Sequence, residues 1–151
     1  MEQKEILELL KDFYENQMPF DRLLGIQVES LTPDNTRVRI DMREELIGNF
    51  VRGVLHGGVI SSLLDLTGGL IASVELVNHM QGLEISEIKR RLARIGTIDL
   101  RVDYLRAGKG KFFTASGSVL RKGNKVAVVR TELLNDQNVL IAAGTGTYLV
   151  N

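Results

Sequence analysis

Two short features of this chain carry residue types suited to carbonyl chemistry: the turn His56-Gly57-Gly58 and the isolated carboxylate Asp65. At a helix start, backbone N–H groups lack intrahelical partners and carry the positive end of the helix dipole. With two glycines there, a carbonyl oxygen can come right up to those donors, as an oxyanion hole requires. Asp65 is the only charge between His56 and Ala72. A carboxylate in so apolar a run needs either a hydrogen-bonding partner or a function as nucleophile or general base. Each feature also has a plain structural reading. The turn could be a glycine-rich helix entry with a capping histidine, and Asp65 could bond Ser or Thr across a dimer.

The spacing adds a condition. Gly57 and Asp65 are eight residues apart, about 12 Å along a helix at 1.5 Å per residue. One carbonyl group cannot touch both on a single helix. If both act on it, they come from two helices running antiparallel across a two-fold axis, and each dimer then has two sites. On a helical wheel, Gly58, Ser61, Ser62, Gly68, Gly69 and Ala72 share the face of Asp65. That small-residue face is where another backbone or a ligand can approach closely. Val59, Ile60, Leu63, Leu66, Leu70, Val74 and Val77 form the opposite, bulky face. The stretch Val59 to Val77 is interrupted by Asp65, Gly68, Gly69 and Glu75, so it reads as a buried helix rather than a membrane span.

The flanking elements must position these groups. Ile6, Leu9, Leu10, Phe13 and Tyr14 recur at helical spacing, predicting an amphipathic helix over residues 1–18 that Pro19 ends. A short strand begins at Ile26–Val28, and Thr32–Asn35 is a turn. Thr36 to Arg43 alternates as a half-buried strand, and Gly48 to Leu55 reads as an irregular loop. After the long helix, Asn78 to Gly82 is a break. Ile85, Ile88, Leu92 and Ile95 form the apolar stripe of an inserted helix over residues 83–95, whose other face carries Lys89, Arg90, Arg91 and Arg94. The last third reads as four strands. Ile98, Leu100, Val102 and Tyr104 share a face of the first, and Lys122-Gly123-Asn124 is a hairpin signal. Short turns between them predict a four-stranded antiparallel meander. The whole chain is expected to form one α+β domain, with a curved sheet around the apolar helix.

The composition narrows the functions. Lys+Arg and Asp+Glu are equal at 19 each, which argues against a bulk nucleic-acid binder. The absence of cysteine removes disulfides, thiolate metal sites and Cys nucleophiles. The Met1-Glu-Gln-Lys-Glu start has no apolar signal core, so a cytoplasmic location is expected.

The segment His56-Gly57-Gly58-Val59-Ile60-Ser61-Ser62-Leu63-Leu64-Asp65 resembles the HGG-x6-D signature of the PaaI-type hotdog acyl-CoA thioesterases. Gly96 to Arg106 and Gly123 to Val128 resemble that family's strand and hairpin after the central helix. The Asn49-to-His56 loop, the basic insertion and the GTIDLRVDYLR string resemble its YigI branch, described as medium- and long-chain acyl-CoA thioesterases. The resemblance implies a hotdog fold, an acyl-CoA substrate, homodimers often paired into tetramers, and no metal or organic cofactor. It implies Asp65 as catalytic carboxylate, the Gly57 N–H as oxyanion donor, His56 as an orienting group, and Thr97 near the catalytic water. The family's Asn or Gln six residues before the His is Phe50 here, and a one-residue bulge would bring in Asn49 instead. Gly58 would let substrate approach. Arg52 and the helix residues Arg90, Arg91 and Arg94 are candidates for the CoA phosphates. Two other functions stay open on the same fold: an acyl-CoA-binding or sensing protein without catalysis, and a hydratase or dehydratase. His79 reads as a helix-end residue without a role, and the Ala142 to Gly146 run as close packing against the central helix.

Overall fold

The computed structural model describes all of residues 1–151. The chain starts with α1 (Gln3–Asp12), a π-helical turn (Phe13–Gln17) and a short helix α2 (Pro19–Leu24). Strands β1 (Gln27–Thr32) and β2 (Asn35–Asp41) follow. A 3-10 turn (Glu44–Leu46) then leads into β3 (Ile47–Asn49) and β4 (Val54–Leu55). The long helix α3 (Gly57–Val77) and the short α4 (Ile85–Leu92) precede β5 (Gly96–Tyr104), β6 (Phe112–Lys122), β7 (Val126–Asn135) and β8 (Leu140–Leu149).

Six strands form one antiparallel sheet in the order β1-β2-β6-β7-β8-β5. It wraps around α3, which is the hotdog arrangement of a helix in a curved sheet. Ile60, Leu63, Leu64 and Leu70 of α3 share one core cluster with Val38 and Ile40 of β2, Phe113 of β6 and Leu133 of β7. Ile6 and Leu10 of α1 close that core from the side. By length and composition α3 could cross a membrane, yet 61% of its most apolar 18-residue window is buried inside the protein.

Several expectations are corrected. Pro19 does not simply end a helix: the π-helical turn ends at Gln17, and Pro19 opens α2 at a first-turn position that needs no N–H. The segment before α3 is not an irregular loop but a minimal hairpin, β3 against β4. The last four strands are not a simple meander either. β6, β7 and β8 are consecutive neighbours, while β5 lies at the far edge and pairs with β8 instead of β6. β6 takes β2 as its other neighbour, so β5 is left with one partner.

β5 also departs from clean alternation. Its register on β8 shifts between Thr97, opposite Tyr148, and Asp99, opposite Thr147. This β-bulge inserts one residue and flips the parity of what precedes it. Ile98, expected on the face of Leu100, Val102 and Tyr104, is the extra residue and is 57% exposed. Thr97 takes the face towards α3 in its place.

Candidate active site

His56 is the N-cap of α3, with extended backbone, and its Nδ1 accepts a hydrogen bond from the Gly58 N–H at 2.8 Å. That bond fixes the neutral tautomer with the proton on Nε2. The N–H groups of Val59 and Ile60 go to the His56 carbonyl at 2.9 and 3.1 Å. Of the donors that open the helix, the Gly57 N–H is the one left unspent. The two glycines therefore have different reasons. A Cβ on Gly58 would stand 2.9 Å from His56 Nδ1 and disturb the cap, whereas Gly57 carries the free donor. Tyr104, at the end of β5, donates from its hydroxyl to the Gly57 carbonyl at 2.9 Å, and its ring lies against that glycine.

Asp65 lies two turns further along α3, half-buried. Thr97 Oγ1 donates to its Oδ1 at 2.8 Å. The Tyr148 hydroxyl donates to the Asp65 backbone carbonyl at 2.9 Å and reaches Oδ1 at 3.3 Å. Thr97 and Tyr148 are cross-strand partners at the bulge, so one local irregularity brings both hydroxyls to the same carboxylate. Both bonds to the carboxylate fall on Oδ1, which leaves Oδ2 open. Burial, together with the charge of Asp65, holds the Tyr148 phenol protonated far above its ordinary value.

The small-residue face of α3 is only partly open to a visitor. Its C-terminal half is filled by this chain's own tyrosines. A Cβ on Gly68 would come within 2.1 Å of Tyr148 Oη, and one on Gly69 within 3.3 Å of Tyr14 Oη. Gly146 on β8 makes the same room, since a Cβ there would be 2.5 Å from Tyr148 Oη. The glycines of the Ala142 to Gly146 run are thus close packing, as expected. Only the stretch from Gly58 to Asp65 keeps an accessible small face. There Ser61 and Ser62 return their hydroxyls to the Gly58 carbonyl at 3.1 and 2.7 Å.

Beside this stretch, α2 and the start of α3 border a groove of about 400 Å³, lined on its apolar side by Phe20, Leu23, Leu24, Leu46 and Val59 and on its polar side by Arg43, Glu45, His56, Gly58 and Ser62. Phe20 and Leu23 are 55% and 68% exposed, an apolar wall open to solvent.

The other expected site residues have these surroundings. Asn49 turns its carboxamide oxygen back on its own loop, accepting from the N–H groups of Val51 and Arg52 at 3.2 Å each. Arg52 is exposed at the tip of that loop. On α4, Glu87 pairs with Arg90 at 2.7 Å and Arg91 at 3.0 Å; the helix ends at Leu92, short of the expected residue 95, so Arg94 lies just past its end, and no carboxylate pairs with it. Arg90, Arg91 and Arg94 border a cavity of about 200 Å³ that also takes in His79. The apolar stripe of α4 is spent unevenly: Ile88 is fully buried and Ile85 is 45% exposed. No group of three or more His, Asp or Glu side chains converges as a metal site.

Three residues near Asp65 and Gly57 escaped the sequence reading: Tyr104, Tyr148 and Asp21. The tyrosines read as ordinary strand residues, and only long-range pairing brings them to α3. Asp21, on α2, is 6% exposed, and its Oδ2 is enclosed without a hydrogen-bond partner. Burial first, and the charge of Asp65 second, push its carboxyl up to about 6. The signal present in the sequence was an acid amid Phe20, Leu23 and Leu24.

Residues 52–142 match the family described as the thioesterase superfamily. The chain is 42% identical over 147 residues to the medium/long-chain acyl-CoA thioesterase YigI of Escherichia coli strain K12, covering 97% of this chain and 95% of that protein. A crystal structure of a Shewanella oneidensis protein related to the thioesterase superfamily is 46% identical and superposes with a TM-score of 0.93, covering 99% and 97% of the two chains. A thioesterase from Haemophilus influenzae, 22% identical, superposes with a TM-score of 0.73 over 95% and 88% of the chains and shares the fold.

Proposed function

The chain belongs to the thioesterase superfamily, and on that premise we propose that it hydrolyses medium- to long-chain acyl-CoA in the cytoplasm, releasing free fatty acid and CoA. It is a thioester hydrolase with a hotdog fold. The observation that carries the finer reading is the pair of unspent groups on α3, the Gly57 N–H and Asp65 Oδ2. Neither has a protein partner, and they are about 12 Å apart on one helix. Two antiparallel copies of α3 would bring the Gly57 of one subunit to the Asp65 of the other, so the site is shared across a homodimer, which pairs further into tetramers.

The thioester carbonyl oxygen accepts from the Gly57 N–H at the positive end of α3, which stabilises the developing oxyanion. His56 holds the turn rigid by capping Gly58, so the Gly57 donor stays available. Asp65 either attacks the carbonyl carbon or takes a proton from water that attacks it. In the first route CoA leaves as thiolate, forming an Asp65–acyl anhydride that water then hydrolyses; in the second water adds to the carbonyl and the thiolate leaves directly. Either way one water is consumed, the fatty acid is freed and the thiolate takes up a proton. Thr97 fixes Asp65 Oδ1 and stands beside the water. The acyl chain lies in the apolar groove of Phe20 and Leu23, and Gly58 lets it pass close to the helix. Arg94, free of any carboxylate, leads Arg90, Arg91 and Arg52 in meeting the CoA phosphates.

The test is thiol release from acetyl-, octanoyl- and palmitoyl-CoA by the native enzyme and by Asp65→Asn. The longer chains should be preferred. The variant should lose at least about a hundredfold in turnover, the scale of an acid/base group, while still binding acyl-CoA. Near-native turnover by the variant would remove Asp65 from the chemistry. No thiol release from any acyl-CoA by the native enzyme would overturn the activity itself.

A further inference from the structure

Strand β5 bonds α3 at two places through side-chain hydroxyls, Thr97 to the Asp65 carboxylate and Tyr104 to the Gly57 carbonyl. The two residues are seven positions apart. In a regular strand, residues an odd number apart face opposite sides of the sheet. The bulge between Thr97 and Asp99 adds one residue and brings both hydroxyls to the face of α3. One strand thus reaches both ends of the stretch that holds the unspent N–H and the carboxylate. Thr97 serves Asp65 in the mechanism above, and Tyr104 is left without a task.

The bonds around Gly57 suggest one. The Tyr104 hydroxyl donates to the Gly57 carbonyl at 2.9 Å. That carbonyl and the Gly58 N–H belong to one planar peptide unit. The Gly58 N–H donates to His56 Nδ1 at 2.8 Å. Both polar ends of this unit are therefore held by side chains, one from the turn itself and one from 47 residues away. The other bonds of the first turn are local, since Val59 and Ile60 donate to the His56 carbonyl. Local bonds fix the shape of a turn, whereas a bond from the sheet fixes its place. Among the side chains that bond the turn, Tyr104 is the one from the six-stranded sheet. Its ring adds a wall, standing where a Cβ on Gly57 would meet it at 3.4 Å. Glycine is the residue with the freest backbone, so such external ties matter most there.

We propose that Tyr104 is a positioning residue for the oxyanion donor. It holds the Gly57–Gly58 peptide against β5 and so keeps the Gly57 N–H aimed at the thioester carbonyl oxygen. The inference rests on the reading of that N–H as the oxyanion donor. Tyr104 acts through Gly57, and no bond is made or broken at it. A donor stabilises the oxyanion only when it is held within about 2.7–3.1 Å of where that oxygen will stand. A misplacement of about 1 Å can cost about a hundredfold in rate.

Tyr104→Phe removes the hydroxyl and keeps the ring against Gly57. Its kcat for acyl-CoA should fall about tenfold, a part of the hundred- to thousandfold that a whole donor supplies. KM should stay native, because the tie acts on the transition state. Tyr104 is 55% exposed at the sheet edge, so the mass of the variant by light scattering is measured alongside and should stay native. Amide hydrogen exchange gives a reading without activity. Exchange at Gly58 should be faster in Tyr104→Phe, since its peptide has lost one of two restraints.

The decisive comparison is a double-mutant cycle with Gly57→Pro, which lacks the donor that Tyr104 is said to place. Adding Tyr104→Phe to Gly57→Pro should slow the residual turnover no further. A second tenfold loss in that background would mean that the hydroxyl acts elsewhere, and the proposal is overturned. Native kcat in Tyr104→Phe overturns it too, as does native exchange at Gly58. A loss of kcat that comes with a smaller mass makes Tyr104 an interface residue instead. If Gly57→Pro is slow and Tyr104→Phe is native, the proposal fails alone and the oxyanion reading stands. If Gly57→Pro keeps native kcat, the oxyanion reading is what fails, and the proposal falls with it.

Discussion

Gly57 can be tested more cleanly than most glycines because it is the first residue of α3. Proline is tolerated there, since the N–H it lacks has no intrahelical partner. His56 already has the extended backbone, φ −61° and ψ 136°, that a residue before proline adopts. A Cβ at position 57 would make ordinary contact with the Tyr104 ring at 3.4 Å. Gly57→Pro should therefore delete one donor and little else. The expected loss in kcat is about a hundred- to a thousandfold, the effect of removing an oxyanion donor, with an unchanged circular dichroism melt. Unchanged kcat would place the oxyanion donor elsewhere. At this scale the sequence was legible where chemistry was local. The His-Gly-Gly turn sits at a helix start, and Asp65 is the only charge in its run. Tyr148 was not legible, because it meets Asp65 across 83 residues of chain and carries no mark of that contact. For Asn49 the structure shows only that its carboxamide oxygen accepts from the N–H groups of Val51 and Arg52 in its own loop.

At the scale of elements, the site depends on how closely β8 can approach α3. Tyr148 fills space that two glycines vacate, Gly68 on the helix and Gly146 on its own strand. Gly68→Ala puts a Cβ 2.1 Å from Tyr148 Oη in a fully packed region. Overpacking of this kind costs about 1–3 kcal/mol. Moving Tyr148 also releases its hold on the Asp65 carbonyl. Urea unfolding should show that loss and turnover should fall with it, whereas Gly96→Ala, with nothing within 4 Å of the added Cβ, should leave stability near native. Equal stability of the two variants would mean that Tyr148 has room to move. Alternation and turn chemistry made β2 and the β6–β7 hairpin readable in advance. The place of β5 was not readable, because strand order is decided by which edges remain free once the sheet closes on α3. The bulge at Ile98 was hidden too. A bulge changes the face of Thr97 without altering the residue types that suggest a strand. α2 escaped because six residues are too few to show a helical period.

At the scale of the whole molecule, the exposed edge of the sheet matters most. β5 pairs on one side only, and Ile98, Tyr104 and Leu105 around it are 57%, 55% and 50% exposed. An unpaired apolar edge strand is a liability unless something covers it. A second copy set antiparallel across a two-fold axis would cover it, and would lay the two α3 helices side by side in opposite directions. That arrangement lets the roughly 12 Å between Gly57 and Asp65 be an offset along the pair instead of a gap within one site. It can be tested by mixing two inactive variants, Asp65→Asn and Gly57→Pro. Random exchange makes half of the dimers mixed. Each mixed dimer has one site with both groups intact and one site with neither. Activity should therefore rise to about a quarter of native, the value set by subunit statistics for two shared sites. Exchange is followed separately by mass spectrometry of differently labelled subunits. If mixed dimers form and the activity stays at the level of the separate variants, each site takes both groups from one chain. Its single helix would then have to be served by a different oxyanion donor near Asp65. A native enzyme that is fully active as a monomer would lead to the same result.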